Sequence, residues 1–198
     1  MSLLNSRIYR FTERLVDFLF LNFIWLLFCL PLVTAFPATT AMFGVVRKWH
    51  LEKDEQGVIR SFWVLFKENF KNSLIISLFW VASAIFLYMD VRLIKPSESL
   101  IQLLLFIITI FGITIFMSVT MYLFSVLVHV DAGWKTSIRN AWFIALLNPF
   151  MTIIVIALTV IWLYAVYLYP VLILCTSSLV SYLLYGMSHR IFRMLNHA

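Results

Sequence analysis

The chain has 198 residues, of which 63% are hydrophobic and 12% charged, with a formal net charge of +6. Its mean hydropathy is +0.98, and the charged share is about half that of an ordinary soluble domain; a water-soluble fold of this size could not hide that much apolar surface. The basic excess sits in short loops and flanks, where anionic headgroups and the positive-inside rule account for it better than nucleic acid does.

Residues Asn5 to Asp17 begin as an amphipathic helix: Ile8, Phe11, Leu15 and Phe18 recur at helical spacing, with Arg7, Arg10 and Arg14 around them. The first apolar segment covers 15–46. Its stretch from Leu15 to Ala35 is longer than a signal-peptide core, and Pro37 disfavours cleavage after Val33-Thr34-Ala35, so it reads as a retained membrane segment. Pro31 removes a backbone donor and Pro37 does so again. The sequence predicts a non-helical turn over Pro31 to Pro37, with a second helix starting at Pro37. Residues 47–72 are the main polar stretch. Arg47, Lys48, Trp49 and His50 open it, and Glu52 to Gly57 is the expected turn. Then Ile59, Phe62, Trp63, Phe66 and Phe70 repeat at helical spacing, with Arg60, Lys67, Glu68 and Lys71 between them. That pattern predicts a helix lying in the headgroup layer and running into the next crossing.

Four full crossings are expected at 73–89, 100–128, 140–162 and 170–188. Neither Leu100–Val128 nor Asn140–Ser188 contains Asp, Glu, Lys, Arg or His, and about 20 apolar residues suffice for one crossing. The expected architecture is therefore all-α, a single membrane domain: a polytopic helical bundle after an N-terminal Pro-broken hairpin or single crossing. Arg47 to Lys71, Lys135 with Arg139, and Arg190 with Arg193 belong in the cytoplasm by the positive-inside rule, as does the C-terminus. A single straight N-terminal crossing would leave Arg7, Arg10 and Arg14 outside. A hairpin returning to the cytoplasmic side removes that conflict and is the favoured reading; backbone of this kind is allowed at depth only where protein buries it or it lines a cavity.

Chemistry is sparse. There is no HExxH, GxSxG or Gly-rich phosphate loop, and no catalytic, metal or cofactor site is expected. Cys29 and Cys175 read as buried thiols without metal-ligand spacing. Asp17 reads as an interfacial residue near Arg10 or Arg14, and His129 and Asp131 as a solvated loop. Asn22 and Asn148 are expected to hydrogen-bond to other helices. Asn22, Pro31, Thr34 and Pro37 form the candidate structural or functional turn, with Asn22 the first candidate to satisfy its backbone. Arg47, Lys48, Trp49, Phe62, Trp63, Phe66, Lys67 and Phe70 form the candidate face for a partner or lipid headgroups. Small residues four apart, such as Thr114/Ser118 and Ala141/Ala145, speak to helix packing within the chain or in a homo-oligomer.

Several stretches carry a family resemblance: Asn22-Phe-Ile-Trp25, Leu30 through Pro31, Thr34 and Pro37 to Ala41, Arg47-Lys48-Trp49, Phe62 to Leu74, and Ser137 to Phe143. Together they resemble the YesL family of small bacterial membrane proteins, over essentially the whole chain. Phe36 departs from it, standing where glycine is common. Members of that family tend to be encoded beside carbohydrate ABC-transporter and sugar-responsive regulatory genes in Gram-positive bacteria. The resemblance implies an accessory role in sugar uptake or its signalling at the cell membrane, with a sugar ABC transporter or membrane sensor as partner. It supplies no catalytic residues. The alternative is a small transporter or channel that uses the Pro31–Pro37 helix break.

Overall fold

A computed structural model of the chain describes residues 3–51, 57–129 and 133–196, with side chains described for 12–51, 57–129 and 133–194. The side chains of Arg7, Ile8, Arg10 and Phe11, the turn residues Glu52 to Gln56, Asp131 and His197 lie outside the described residues. Among the described residues seven α-helices follow in order: α1 Leu3–Cys29, α2 Ala35–His50, α3 Val58–Leu93, α4 Leu100–His129, α5 Trp134–Leu147, α6 Pro149–Leu168 and α7 Leu172–Asn196. One turn of 3₁₀ helix, Leu32–Thr34, joins α1 to α2. No strand occurs among the described residues. Helices α3, α4 and α6, and Leu172–Met194 of α7, are each long and apolar enough to cross a bilayer. The chain is thus an all-α, polytopic membrane protein.

The N-terminal segment folds back on itself. Phe18 meets Trp49 edge to face at 4.9 Å, and Trp25 Nε1 donates to Thr39 Oγ1 at 3.1 Å. As the position on α1 rises, its partner on α2 falls, so the two helices are antiparallel. The break is tighter than the sequence predicts. Helix α1 stops at Cys29, because Pro31 cannot donate to the ladder. The chain is helical again from Ala35, and Pro37 sits inside the first turn of α2. N–H groups there have no intrahelical partner, so proline costs nothing. The expected non-helical stretch through Pro37 is therefore corrected to one short turn at 30–34.

Thr34 closes that turn. Its N–H donates to the Pro31 carbonyl at 2.9 Å. Its hydroxyl lies 2.6 Å from the Phe28 carbonyl and 2.8 Å from that of Pro31, one proton shared between two acceptors. Asn22 takes no part, contrary to expectation. Leu30, Leu32 and Val33 point outward at 79, 89 and 67% exposure, an apolar tip. At about 1.5 Å per residue, the 16 residues of α2 rise about 24 Å, short of the ~30 Å hydrocarbon core.

A second break has the same construction. The expected crossing over 140–162 is in fact two helices, α5 and α6, divided at Asn148, with Pro149 at the first position of α6. Thr152 reaches back across it, its hydroxyl 3.1 Å from the Ala145 carbonyl and 2.9 Å from that of Asn148. Both breaks read Pro-x-x-Thr: Thr152 occupies the Ala145 carbonyl that Pro149 leaves without its amide donor, and Thr34 occupies the Phe28 carbonyl at the end of α1. Tyr122 of α4 lies 3.2 Å from Thr152 Oγ1 and pins the second break to the bundle.

Helix α2 is the centre of the structure. It packs against α1, α3, α4 and α7, and Ala38, Ala41, Val45 and Val46 are wholly buried. Gly44 permits the approach of α3: a Cβ there would fall 2.9 Å from Leu65 Cδ1. Ser73 of α3 donates to Thr40 at 3.0 Å, Lys48 donates to Ser61 at 3.2 Å, and Phe36 and Phe43 both pack on Phe124 of α4. Helix α3 is one continuous run of 36 residues, so the expected 47–72 segment is divided between the end of α2 and the first half of α3.

The turn geometry predicts that Thr34→Val, isosteric but lacking the hydroxyl, lowers the melting temperature in detergent by about 3–8 °C. Thr34→Ser should remain within about 2 °C of wild type. Tryptophan fluorescence during thermal unfolding measures both; equal losses would show that the hydroxyl is not the closing group.

Candidate functional site

The two groups of residues singled out by sequence fall differently in the fold. Pro31 and Thr34 form the hairpin turn, Pro37 lies within α2, and Asn22 is a full turn or more away on α1. Asn22 is wholly buried and crosses to α7, where its Oδ1 accepts the Ser178 N–H at 2.7 Å. Ser178 returns the contact, its hydroxyl donating to the Phe18 carbonyl at 3.0 Å. The Asn22 Nδ2 is buried without a partner.

The aromatic face is largely consumed inside the molecule, which corrects its expected role as an external surface. Trp49, Phe62 and Phe66 are 4, 1 and 7% exposed. Phe28 of α1 fills the space beside them, with ring centroids 5.3 Å from Phe62, 5.6 Å from Trp63 and 4.9 Å from Phe66. Phe70 is half-buried and packs on Phe66. The hairpin itself covers the stripe that the sequence offers to headgroups. Trp63, 44% exposed, remains at the rim with Lys67 Nζ 4.6 Å from its ring centre. Arg47 and Lys48 are half-buried at the end of α2.

Arg47 leads to a cluster that sequence reading missed. The C-terminal ends of α2 and α4 converge on the second half of α7. His50, the last residue of α2, packs on Tyr182 with centroids 4.0 Å apart and on Tyr185 at 5.2 Å. His129, the last residue of α4, lies with Nδ1 3.3 Å from Tyr185 Oη and stacks on Phe192 at 4.3 Å. This corrects its expected place in a solvated loop. His189 is 5.9 Å from both His129 and Tyr185, centre to centre. Tyr185 is wholly buried, and the Arg47 charge acts on it. Gly186 makes room for His50: a Cβ there would fall 2.9 Å from His50 Nε2. Three helices thus bring three histidines, two tyrosines and an arginine together.

Among the described residues the charges that act on the cluster are positive. Arg47 and Arg193 act on His189, and Arg47 acts on His129. On the adjoining part of α1 lie Glu13, Arg14 and Asp17, the last half-buried and engaged in contacts of its own. Among the described residues no carboxylate pairs with Arg47, His50, His129 or His189, and no group of residues there is suited to hold a metal ion. Two buried nitrogens, Arg47 Nε and His189 Nδ1, have no hydrogen-bond partner. The one signal in the sequence is the i, i+4 pair Tyr185 and His189, which shares a helix face. His50 and His129 come from remote segments, and only the packing of α2 unites them.

A second feature faces outward. Helices α3 and α4 enclose a groove of about 540 Å³, with Trp142 of α5 at its edge. Small residues, Ala82, Ser83 and Gly112, lie between the rings of Trp80, Phe86 and Phe116. Trp80 is fixed by donating to Thr120 at 2.8 Å.

Fold and surface together define a small polytopic helical membrane protein built round an N-terminal helical hairpin. The family described as "Protein of unknown function, DUF624" matches residues 18–91, the hairpin and nearly all of α3. Two relatives come from Bacillus subtilis (strain 168). "Uncharacterized protein YteU" is 34% identical over 183 residues, 89% of this chain and 81% of the relative. "Uncharacterized protein YesL" is 31% identical over 181 residues, 89% of this chain and 85% of the relative. The chain belongs to this YesL-like family. No solved structure matches it.

Burial holds the His50 pKa below its ordinary 6.5, the positive field of His189 adds to the lowering, and the contact with the Val46 carbonyl opposes it. The folded chain therefore binds fewer protons at His50 than the unfolded chain. Stability is unaffected by this group above the unfolded pKa and falls as pH drops through it. The melting temperature should be lower at pH 5.5 than at pH 7.5, and His50→Gln should flatten that difference. An unchanged slope in the variant would remove His50 from the cluster's titration.

Proposed function

We propose that this protein is a non-enzymatic accessory subunit of the bacterial cell membrane that docks a transmembrane helix of a carbohydrate ABC transporter. The carrying observation is the groove between α3 and α4. Ala82, Ser83 and Gly112 let a helix backbone approach closely, as small residues do at helix interfaces in lipid. A Cβ at Gly112 would meet only Leu87, at 3.6 Å, so the surface there has room. Trp80, held by Thr120, gives the groove a rigid wall. The choice of a sugar transporter as partner rests on the family resemblance.

Orientation belongs to the same proposal. Contacts between Lys48 and Ser61 and between His129 and Tyr185 set the ends of α2 and α4 beside the start of α3 and the later part of α7. That end carries Arg47, Lys48, Arg60, Arg190 and Arg193, whereas the opposite α3–α4 connection balances Arg92 and Lys95 with Asp90 and Glu98. The positive-inside rule then sets the basic end and the C-terminus in the cytoplasm. The alternative, a transporter with the Pro31–Pro37 break on its path, has less support, because Thr34 already pairs the turn's carbonyls and the tip turns apolar side chains outward.

A photo-crosslinking amino acid at Ser83 should capture a permease subunit of such a transporter in native membranes, and the same probe at the exposed Phe150 should not. Gly112→Leu should reduce that crosslink at least about fivefold by filling the groove. Capture of lipid alone, or of a second copy of this chain, would contradict the assignment.

A further inference from the structure

We propose that the N-terminal hairpin is a wedge seated in one leaflet, the one on the basic side of the bundle, and that the acyl chains of that leaflet cover its exposed apolar face. This goes beyond the docking role and does not depend on it; the orientation given above only names the leaflet as cytoplasmic.

Depth is the first part of the case, and helix α3 supplies the scale. Its first turns carry Arg60, Lys67, Glu68 and Lys71, all exposed. Ionised side chains on a lipid-facing helix keep their charges out of the hydrocarbon. From Ser73 to Met89 the same helix has no charged residue. Helix α4 marks the same edge. Trp80 donates to Thr120, and Leu87 is the side chain that faces Gly112. The two helices are therefore antiparallel, in a register that sets Lys71 level with His129, the last residue of α4. The hydrocarbon edge on the basic side lies near that level.

The hairpin tip sits beside this edge. Phe28, just before the tip, packs on Phe62, Trp63 and Phe66, on the charged side of Lys71. On the other arm, Phe36 packs on Phe124, about 8 Å of helix before His129. The midplane of the bilayer is about 15 Å from its hydrocarbon edge, so the tip stops within one leaflet. Helix α1 reaches it by leaning across the bundle, from α7, which it meets at Phe18 and Asn22, to the first turns of α3.

Surface chemistry selects the occupant. Val16, Leu19, Phe20, Phe23, Leu27 and Leu30 are exposed and recur every three or four residues, a single stripe along α1. Leu32 and Val33 carry it round the tip, and from Leu15 to Val33 every exposed residue is apolar. Thr12, Glu13 and Arg14, exposed just before it, mark where the stripe leaves lipid for water. The stripe is continuous with the surface of α3, since Phe28 touches Trp63. Trp63 is exposed and carries Lys67 Nζ over its ring, an aromatic and a basic group of the kind that line a headgroup boundary. Segments built this way sink an apolar face into the acyl boundary of one leaflet. The other leaflet is left to the crossings.

Depth and occupant can be read together. The full chain, with Cys29→Ser and Cys175→Ser, carries one nitroxide at Leu32→Cys, Val33→Cys, Val81→Cys or Lys95→Cys in vesicles of phosphatidylcholine and phosphatidylglycerol. Val81, exposed on α3 about 15 Å of helix past Lys71, reports the midplane, and the exposed Lys95 reports water. Power saturation with oxygen and with a neutral nickel chelate gives the depth of each label. We expect Leu32 and Val33 to lie about 10 Å shallower than Val81 and to be far less open to the chelate than Lys95. A tip no shallower than Val81 overturns the one-leaflet wedge. Chelate access equal to that at Lys95 puts the tip in water, and dipolar broadening that unlabelled chain dilutes away makes the occupant a second copy; either overturns the acyl contact. Should Leu32→Cys fail to fold, Val33→Cys decides.

Discussion

Everything in this fold depends on how the chain turns back between Cys29 and Ala35. Proline 31 stops α1 by withholding a donor, which strands carbonyls where no water is available to bond them, a cost of several kcal/mol each in hydrocarbon. Thr34 satisfies that of Phe28 with its hydroxyl, three residues after the proline, and the Pro31 carbonyl with its N–H. A turn sealed from within can present Leu30, Leu32 and Val33 to lipid without exposing polar backbone. The same device recurs at Pro149 and Thr152, where α5 hands over to α6. The chain thus uses one local solution twice: once to reverse direction and once to break a helix.

Because the turn holds, α2 is delivered to the centre of the bundle. It is not apolar or long enough to be a crossing in its own right; it is suited to being surrounded. Alanines and Gly44 let four helices come close, and hydroxyls on Thr39 and Thr40 take hydrogen bonds from α1 and α3. Asn22 locks the other arm of the hairpin to α7. This is the arrangement in which a polar side chain at depth is affordable, since its carbonyl oxygen meets a backbone N–H on a neighbouring helix. With both arms fixed, the end of α2 meets those of α4 and α7, and the histidine–arginine cluster is a consequence of that convergence.

Much of this was legible in the residues. Charge-free runs marked the crossings, two prolines marked the hairpin, and the basic residues implied its return. The parts that were not legible share one cause: they depend on which surfaces the hairpin covers. Phe62 and Phe66 have the spacing of an exposed amphipathic stripe, and nothing local says that Phe28 will occupy it. His50 and His129 look like loop-edge residues until α7 brings Tyr185 and His189 against them. Pro37 reads as a second breaker because a proline's tolerance depends on where the helix begins, and Thr34 moves that beginning to Ala35. The charge-free run over 140–162 has the length of one crossing, whereas Pro149 ends one helix and starts another.

The most direct test of the account is the sidedness of the N-terminus. With Cys29 and Cys175 replaced, Ser6→Cys can be probed in intact cells with a membrane-impermeant thiol reagent, before and after permeabilisation. A hairpin that enters and leaves on the cytoplasmic side predicts no labelling until the membrane is opened. Labelling of intact cells would put the N-terminus outside and require a continuous crossing, which contradicts the return of α2 that the rest of the structure is built on.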